Sequence, residues 1–210
     1  MGRSDSMPSH MRYLDSRYVL DRVLAGISLI LLSPLLGCVA VAVLTSSGRP
    51  ILFRQTRVGR DGVEFEIIKF RTMVKDAETL GGGYMPEGMN LVTPVGSFLR
   101  RTSLDELPQL LNIVRGEMAF IGPRPALPDQ YRRYTPLQRR RVAALPGITG
   151  LAQVTYRNNA PWSKRIELDL EYLAKVGLVM DLNIAWRTFV RTFGGDDILE
   201  GQAASDVDDL

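Results

Sequence analysis

The chain of 210 residues has room for one globular domain with an accessory segment, and its 45% apolar residues are ordinary for a protein with a buried core. The only cysteine, Cys38, cannot form an intrachain disulfide, and the only histidine, His10, lies in a polar N-terminal stretch, which excludes a histidine-based triad. Residues 196–210 hold six acidic and no basic residues, so the rest is strongly basic and favours nucleic acid, anionic lipid or a phosphorylated substrate.

A long apolar segment follows a polar, disordered lead at residues 1–17. It runs from Val23 to Leu44 without a charge, or about 33 Å as a straight helix, which is enough to cross a bilayer. Ser33 and Pro34 lie at its centre and predict a kink. Both flanks are rich in arginine, which favours a re-entrant helix at residues 18–45 over a straight span. A buried helix of a soluble protein is the third alternative.

Alternating apolar and polar residues from Ile51 to Met73, broken by G-R-D-G, predict a β-hairpin. Its second strand ends in K-F-R-T-M, which places Lys69 and Arg71 on one face. That face is either the exposed side of a half-buried strand or an anion-binding surface. The following glycines at 81–83 predict a loop, which is either a lid or a connector.

Two adjacent carboxylates, Asp105 and Glu106, lie where the sequence predicts the start of a helix. Pro108 is tolerated only in a first turn, so the helix is expected to begin at Asp105 or just before it. Asp105 is then either a capping residue or a nucleophile beside a metal ligand. Ser103 and Glu106 also fit the pattern of a capping box.

Arginines surround this acidic pair in the sequence. Neighbouring carboxylates repel one another, and Arg100, Arg101 and Arg124 together with a divalent metal would keep both ionised. Arg124 lies between two prolines in G-P-R-P, which indicates either a fixed phosphate-binding guanidinium or a structural turn. These residues predict a phosphate-handling site.

The C-terminal half alternates basic helices with turns. A cluster of arginines at 132, 133, 139, 140 and 141 predicts a solvated face or a contact with anionic head groups. The stretch P-G-I-T-G-L-A-Q-V at 146–154 predicts turns, and the loop after it carries polar and aromatic groups suited to a base or sugar. Residues 166–193 predict two amphipathic helices broken near Gly177, whose aromatic residues pack in the core or dock on a membrane. The acidic segment 194–210 predicts disorder.

From about Tyr18 to Phe193 the chain resembles the bacterial sugar transferase family of small monotopic phosphoglycosyl transferases. The resemblance rests on the apolar segment broken at Ser-Pro, then Q-T-R-V-G, K-F-R-T-M, S-L-D-E-L-P-Q-L-L-N, G-P-R-P and P-G-I-T-G-L-A-Q-V in the family's order. Thr72 stands where that family often has serine, and Thr155-Tyr156 where it often has Asn-Gly.

The resemblance implies an α+β fold: a mostly helical, cytoplasm-facing catalytic domain at 46–193 with a small β-hairpin. A re-entrant helix kinked at Ser33–Pro34 and interfacial amphipathic helices would anchor it to the bacterial inner membrane and its lipid. It also implies transfer of a sugar phosphate from a UDP-sugar, expected to be an N-acetylated amino sugar, to polyprenol (undecaprenyl) phosphate, with UMP as the product. Nucleic acid is not expected as a partner.

The resemblance also assigns the site residues. Asp105 would be the nucleophile that forms a covalent aspartyl phosphosugar, and Glu106 with Asp105 would hold Mg²⁺. The implied substrate-binding residues are Lys69, Arg71, Arg100, Arg124, Gln153, Arg157 and Asn158. The rival hypothesis is a non-enzymatic membrane adaptor whose basic face binds anionic lipid or nucleic acid, with binding that weakens generally with salt.

Overall fold

The computed structural model describes residues 9–75, 77, 91–156 and 160–193 of the chain. The helices are α1 (Ser9–Leu31), α2 (Ser33–Ser47), α3 (Pro94–Arg101), α4 (Leu110–Arg115), α5 (Pro128–Arg133), α6 (Pro136–Arg139), α7 (Leu151–Tyr156), α8 (Trp162–Lys175) and α9 (Leu178–Phe193). Within these residues, 3₁₀ helices span Arg60–Gly62, Leu104–Gln109 and Arg140–Ala143, and the strands are β1 (Leu52–Val58), β2 (Glu64–Phe70), β3 (Ala119–Ile121) and β4 (Gly147–Thr149). The predicted α+β class, mostly helical with small sheets, is confirmed.

The first two helices form a bent pair. α1 ends at Leu31 and α2 begins at Ser33, with Pro34 in its first turn, so the predicted kink is confirmed. The Ser33 hydroxyl donates to the Ile30 carbonyl at 2.8 Å, which satisfies an acceptor near the break. No single helix of the described residues is long and apolar enough to cross a bilayer, whereas Arg12–Leu31 and Ser33–Ser47 together are, with a bend of 65°.

α1 begins inside the segment predicted to be a disordered lead. Leu14 is buried in the core, and the Arg17 guanidinium donates to the Asp181 carboxylate at 2.6 Å and to the Ile121 carbonyl at 2.7 Å. These contacts join α1 to α9 and to the end of β3. Residues from Ser9 onward are therefore a structured part of the domain, and the expectation of disorder is wrong for them.

The predicted hairpin is confirmed. β1 and β2 pair antiparallel, with Leu52 opposite Phe70 and Val58 opposite Glu64. At the turn Asp61 has a φ of 57°, and Gly62 has a φ of 81°, a left-handed conformation that glycine adopts without strain. β2 carries Lys69 next to its C-terminal end.

The region predicted only as turns at 146–154 contains β4 and α7. β4 pairs in parallel with β3, with Ala119 opposite Gly147 and Ile121 opposite Thr149. The two backbones approach so closely that a Cβ atom on Gly147 would lie 2.1 Å from the nitrogen of Gly122. The glycines of G-P-R-P and P-G-I-T-G are therefore in contact, although 24 residues separate them in the chain.

α8 and α9 form the predicted helix pair that is broken near Gly177. Trp186 is 65% exposed and stacks on Phe189, which is also exposed, so the interpretation of these aromatic residues as core is wrong. Leu178 and Leu182 are exposed on the same helix. Spacings of three and four residues place these side chains on one apolar face of α9.

Candidate active site

Asp105 lies in the 3₁₀ helix Leu104–Gln109, which begins after an unusual turn. Ser103 precedes this helix with a φ of 56°, in the left-handed region, and its side chain makes no capping hydrogen bond. Asp105 is one residue inside the helix and is 9% exposed. Both capping interpretations are therefore wrong, because neither Asp105 nor Ser103 acts as a side-chain cap.

Cationic side chains hold the second carboxylate. Lys69, on β2, places its Nζ 2.5 Å from Oε1 of Glu106, and Nη1 of Arg124 lies 3.9 Å from the same oxygen. The strand, the 3₁₀ helix and the G-P-R-P loop thus meet at Glu106. The predicted clustering of Lys69, Glu106 and Arg124 is observed.

The two carboxyl groups differ in their ionisation. Burial raises the pKa of Asp105 to about 6, although the charges of Lys69, Arg100 and Arg124 act in the opposite direction. Burial also acts to raise the pKa of Glu106, but there Lys69 and Arg124 outweigh it, and the pKa falls below its usual value. Burial lowers the pKa of Lys69 itself. The site keeps Glu106 ionised and makes Asp105 the more basic carboxylate.

Arg100 reaches the site from the last turn of α3. Its Nε donates to Oγ1 of Thr72 at 2.9 Å, and its charge acts on the Asp105 carboxyl. Thr93 is the N-cap of α3, and its hydroxyl accepts from the Gly96 amide at 2.9 Å, a contact that fixes the start of the helix. A short, capped helix therefore positions Arg100 near Asp105.

The G-P-R-P loop that carries Arg124 is fixed through its carbonyls. Those of residues 123, 124, 125 and 126 accept hydrogen bonds from the Gly147 amide (3.0 Å), Arg141 (2.8 Å), Arg57 (3.2 Å) and the Val58 amide (2.9 Å). Because four consecutive carbonyls are hydrogen-bonded to β1, β4 and the 3₁₀ helix Arg140–Ala143, the loop has little conformational freedom. The loop is therefore both a structural turn and a rigid support for the Arg124 side chain.

Arg141 departs from its predicted role. The sequence pattern places it in a solvated or lipid-binding cluster, but it is 1% exposed and is ion-paired with the buried carboxylate of Asp169. It also donates to the Tyr134 hydroxyl at 2.6 Å and to the Arg124 carbonyl. A buried charge needs such partners, so Arg141 supports the loop from below rather than facing solvent.

Other predicted site residues lie elsewhere or are not described. Arg71 donates to the carbonyls of Ser47 and Gly48 at the end of α2, so its hydrogen bonds connect the bent helix pair to β2 rather than reaching the carboxylates. Gln153 donates to the Ile148 carbonyl at 2.7 Å. Arg157 and Asn158, like the glycines at 81–83 and the tail at 194–210, fall outside the described residues.

Asn112 supports the site, although no sequence pattern indicates this role. Its side-chain oxygen accepts from the Ile68 amide at 3.1 Å, and its side-chain nitrogen donates to the Glu66 carbonyl and the Glu117 carboxylate, both at 2.7 Å. The amide occupies the open edge of β2 as a neighbouring strand would. It therefore fixes α4, and the 3₁₀ helix before it, against the strand that carries Lys69.

The acidic pair could hold a magnesium ion only together with a bound phosphate. Within the described part of the chain, no group of three or more histidine, cysteine, aspartate or glutamate side chains could hold a metal. Mg²⁺ often takes only one or two protein carboxylates, with substrate phosphates and water completing its coordination. Asp105 and Glu106 supply that number of hard oxygen ligands.

The chain is similar to known proteins over most of its length. The family model described as bacterial sugar transferase matches residues 13–195. A UDP-glucose:undecaprenyl-phosphate glucose-1-phosphate transferase from Escherichia coli (strain K12) is 41% identical over 82% of this chain and 39% of its own length. Exopolysaccharide production protein ExoY from Sinorhizobium fredii is 36% identical over 82% of this chain and 83% of its own.

A third relative, a UDP-N-acetylgalactosamine-undecaprenyl-phosphate N-acetylgalactosaminephosphotransferase from Aeromonas hydrophila, is 37% identical over 82% of this chain and 42% of its own length. The chain thus spans less than half of two of these relatives and most of ExoY. The family match covers the bent helix pair, the acidic site and the helices of the C-terminal half. The chain belongs to the bacterial sugar transferase family.

Proposed function

We propose that this protein transfers a sugar 1-phosphate from a UDP-sugar to a polyprenol phosphate and releases UMP. The observation that carries the proposal is the buried carboxyl of Asp105 next to Glu106, whose carboxylate is paired with Lys69 and Arg124. Family membership and the names of the relatives, which specify undecaprenyl phosphate as acceptor, support the reaction class. They do not favour the non-enzymatic adaptor.

The first step is attack by a carboxylate oxygen of Asp105 on the sugar-side phosphorus of the donor. The bond from that phosphorus to the bridging oxygen breaks, and UMP leaves with the bond's electrons. Asp105 then carries the sugar phosphate as an acyl phosphate. Arg100, Arg124 and Lys69 lie around Asp105, where their charge would stabilise the negative charge that shifts onto the leaving phosphate.

The second step uses a phosphate oxygen of the polyprenol phosphate as nucleophile on the same phosphorus. The bond to Asp105 breaks, its carboxylate is restored, and the product is a polyprenyl diphosphate sugar. Glu106 and Asp105 would hold the Mg²⁺, which supplies charge neutralisation for the phosphate oxygens. Because each nucleophile in this scheme is already an anion, a carboxylate or a phosphate, no general base and therefore no histidine is required.

We further propose that the bent helix pair enters and leaves the inner membrane on its cytoplasmic side. The 65° bend at Leu32 and the exposed apolar residues of α1, among them Val23, Ile27 and Ile30, support this placement. The exposed apolar face of α9 would lie in the interface of the same leaflet. A long isoprenoid can then stay in lipid while its phosphate reaches Asp105.

We propose that the donor is a UDP-hexose, without choosing between a neutral hexose and an N-acetylated one. The name of the Escherichia coli relative specifies glucose and that of the Aeromonas relative specifies N-acetylgalactosamine, so the expectation of an N-acetylated amino sugar has support from the second alone. Both sugars therefore belong in the first donor panel.

The test of the reaction is UMP release by the purified, full-length protein with Mg²⁺ and each UDP-sugar, with and without undecaprenyl phosphate. Asp105→Asn keeps the side chain's shape and is expected to lower release about 10³-fold or more while leaving the melting temperature unchanged within a few degrees. Asp129→Asn, at a highly exposed aspartate, is the matched control and should behave as wild type.

Donor labelled in the sugar phosphate adds an independent readout. Without acceptor, label should stay with the denatured wild-type protein and be absent from Asp105→Asn. Wild-type rates of UMP release by Asp105→Asn would contradict the mechanism. So would steady-state UMP release at the same rate with and without undecaprenyl phosphate.

The membrane placement has a separate test. Ser16→Cys and Ser46→Cys, at exposed positions before and after the apolar segment, are made in a Cys38→Ser background. Re-entry predicts that a membrane-impermeant maleimide labels neither cysteine in intact spheroplasts and both after permeabilisation. Labelling of one cysteine from outside would indicate a straight span.

A further inference from the structure

Thr72 follows strand β2 and contacts both ends of helix α3. Its carbonyl accepts from the Thr93 amide at 3.0 Å and from the Thr93 hydroxyl at 3.3 Å, at the N-cap of the helix. A Cβ on Gly96 would lie only 1.9 Å from that carbonyl oxygen, so the first turn packs directly on Thr72. The backbone of Thr72 thus places the start of α3.

The side chain of Thr72 makes the contact at the other end. Its Oγ1 accepts from Nε of Arg100 at 2.9 Å, one residue before the end of α3. Thr72 is 7% exposed, so water does not readily replace this acceptor. A planar guanidinium held at Nε can no longer rotate freely about its long side chain, which leaves the edge formed by Nη1 and Nη2 in a defined direction.

We propose that the Thr72 hydroxyl is a positioning residue that orients Arg100 toward the phosphate of the donor bound at Asp105. The inference rests on the proposed function. Arg100 lies close enough for its charge to act on the Asp105 carboxyl, beside which the phosphorus of a donor would be attacked. Fixing it before the substrate arrives reduces the conformational entropy lost on binding and keeps the charge in place through phosphoryl transfer.

A purely structural role for Thr72 makes different predictions. The backbone contacts with Thr93 and Gly96 do not involve the hydroxyl, so they remain in any variant that keeps a side chain of similar shape. Thr72→Val removes only the acceptor for Arg100, whereas Thr72→Ser keeps the oxygen and removes only the methyl group. The pair therefore separates the hydrogen bond from the packing.

The experiment measures kcat/KM for UMP release with varied UDP-sugar and saturating undecaprenyl phosphate, together with the melting temperature of each variant. Thr72→Val should lower kcat/KM about tenfold, the usual effect of losing one charge-assisted hydrogen bond. Thr72→Ser should stay within about threefold of wild type. Thr192→Val, whose hydroxyl donates within α9, is the control for loss of a threonine hydroxyl.

The decisive arm repeats Thr72→Val in an Arg100→Ala background. If Thr72 acts through Arg100, the second substitution adds nothing once the guanidinium is gone; a structural role would lower kcat/KM or the melting temperature in both backgrounds. A wild-type rate for Thr72→Val, or full additivity with Arg100→Ala, would overturn the inference while leaving the reaction intact. Absence of UMP release by wild type would instead overturn the proposed function. Should Thr72→Val not fold, Thr72→Ala is compared with Thr72→Ser, because these two variants differ only in the hydroxyl.

Discussion

The buried amide of Asn112 provides the strongest prediction about what holds the site together. It is 0% exposed and makes three hydrogen bonds, to the Ile68 amide, the Glu66 carbonyl and the Glu117 carboxylate. Asn112→Leu keeps the branched outline of the side chain but removes all three hydrogen bonds. At about 1 kcal/mol for each bond, and more where the buried Ile68 amide is left unpaired, the loss is about 3–4 kcal/mol.

A loss of that size should lower the melting temperature by about 6–15 °C for a chain of this length. The assay is thermal unfolding of the detergent-solubilised protein, with Asn183→Leu, at an exposed position of α9, as the matched control. Asn183→Leu is expected to change the melting temperature by no more than about 2 °C. If the two variants unfold at the same temperature, Asn112 does not fix β2 against α4 and the reasoning fails.

Three further predictions concern the charges and the turn around the acidic pair. Burial raises the pKa of Asp105 to about 6, and the charge of Lys69 acts to lower it. Lys69→Met removes that charge, so the acid limb of the kcat/KM pH profile should move up by about one pH unit or more. An acid limb at an unchanged pH would contradict this. Ser103→Gly should leave the melting temperature nearly unchanged, whereas Ser103→Val, with a β-branched side chain at a φ of 56°, should cost about 1–2 kcal/mol; equal melting temperatures would show that the turn is not strained. Arg141→Met leaves the Asp169 carboxylate buried without its partner and should cost about 3–5 kcal/mol, of which the double variant with Asp169→Leu should recover most in the same unfolding assay.

Local features of the sequence were sufficient for the parts of the fold that form over short distances. Alternation with a period of two predicted the hairpin, and the Ser-Pro pair in an apolar run predicted the bend between α1 and α2. The break near Gly177 divides α8 from α9 as expected. In each case the residues that determine the conformation are neighbours in the chain, so a short window contains the necessary information.

The parallel pair of β3 and β4 could not be predicted in this way. Each strand has three residues, too few for a periodic pattern. The pairing also needs glycines that are distant in the chain, because a Cβ atom there would collide with the facing backbone. The same limit applies to Arg141, which looked like one member of a polar arginine cluster. Its burial depends on Asp169, 28 residues away, and a run of basic residues does not indicate which one has a buried partner.

For the candidate site, the sequence indicated which charges belong together but not what holds them. Arg100 and Arg124 act on the carboxylate pair as expected, because such a pair needs nearby cations to remain ionised. Lys69, which the pattern places on a possible anion-binding face, is ion-paired with Glu106. Asn112 gave no such signal, since an asparagine in an apolar helix reads as a polar interruption of the stripe until its partners on β2 are known.

The environments of the two carboxylates give a physical reason to assign the nucleophile to Asp105 rather than to its neighbour. Glu106 accepts directly from Lys69 and has a lowered pKa, so its lone pairs are engaged and its basicity is low. Asp105 has a pKa of about 6, so it is mostly ionised at neutral pH and yet more basic than an ordinary carboxylate. Pairs of titratable groups whose environments separate their pKa values take separate roles. The more basic carboxylate attacks phosphorus more readily, so the proposed role of nucleophile suits Asp105, while Glu106 stays ionised beside Lys69.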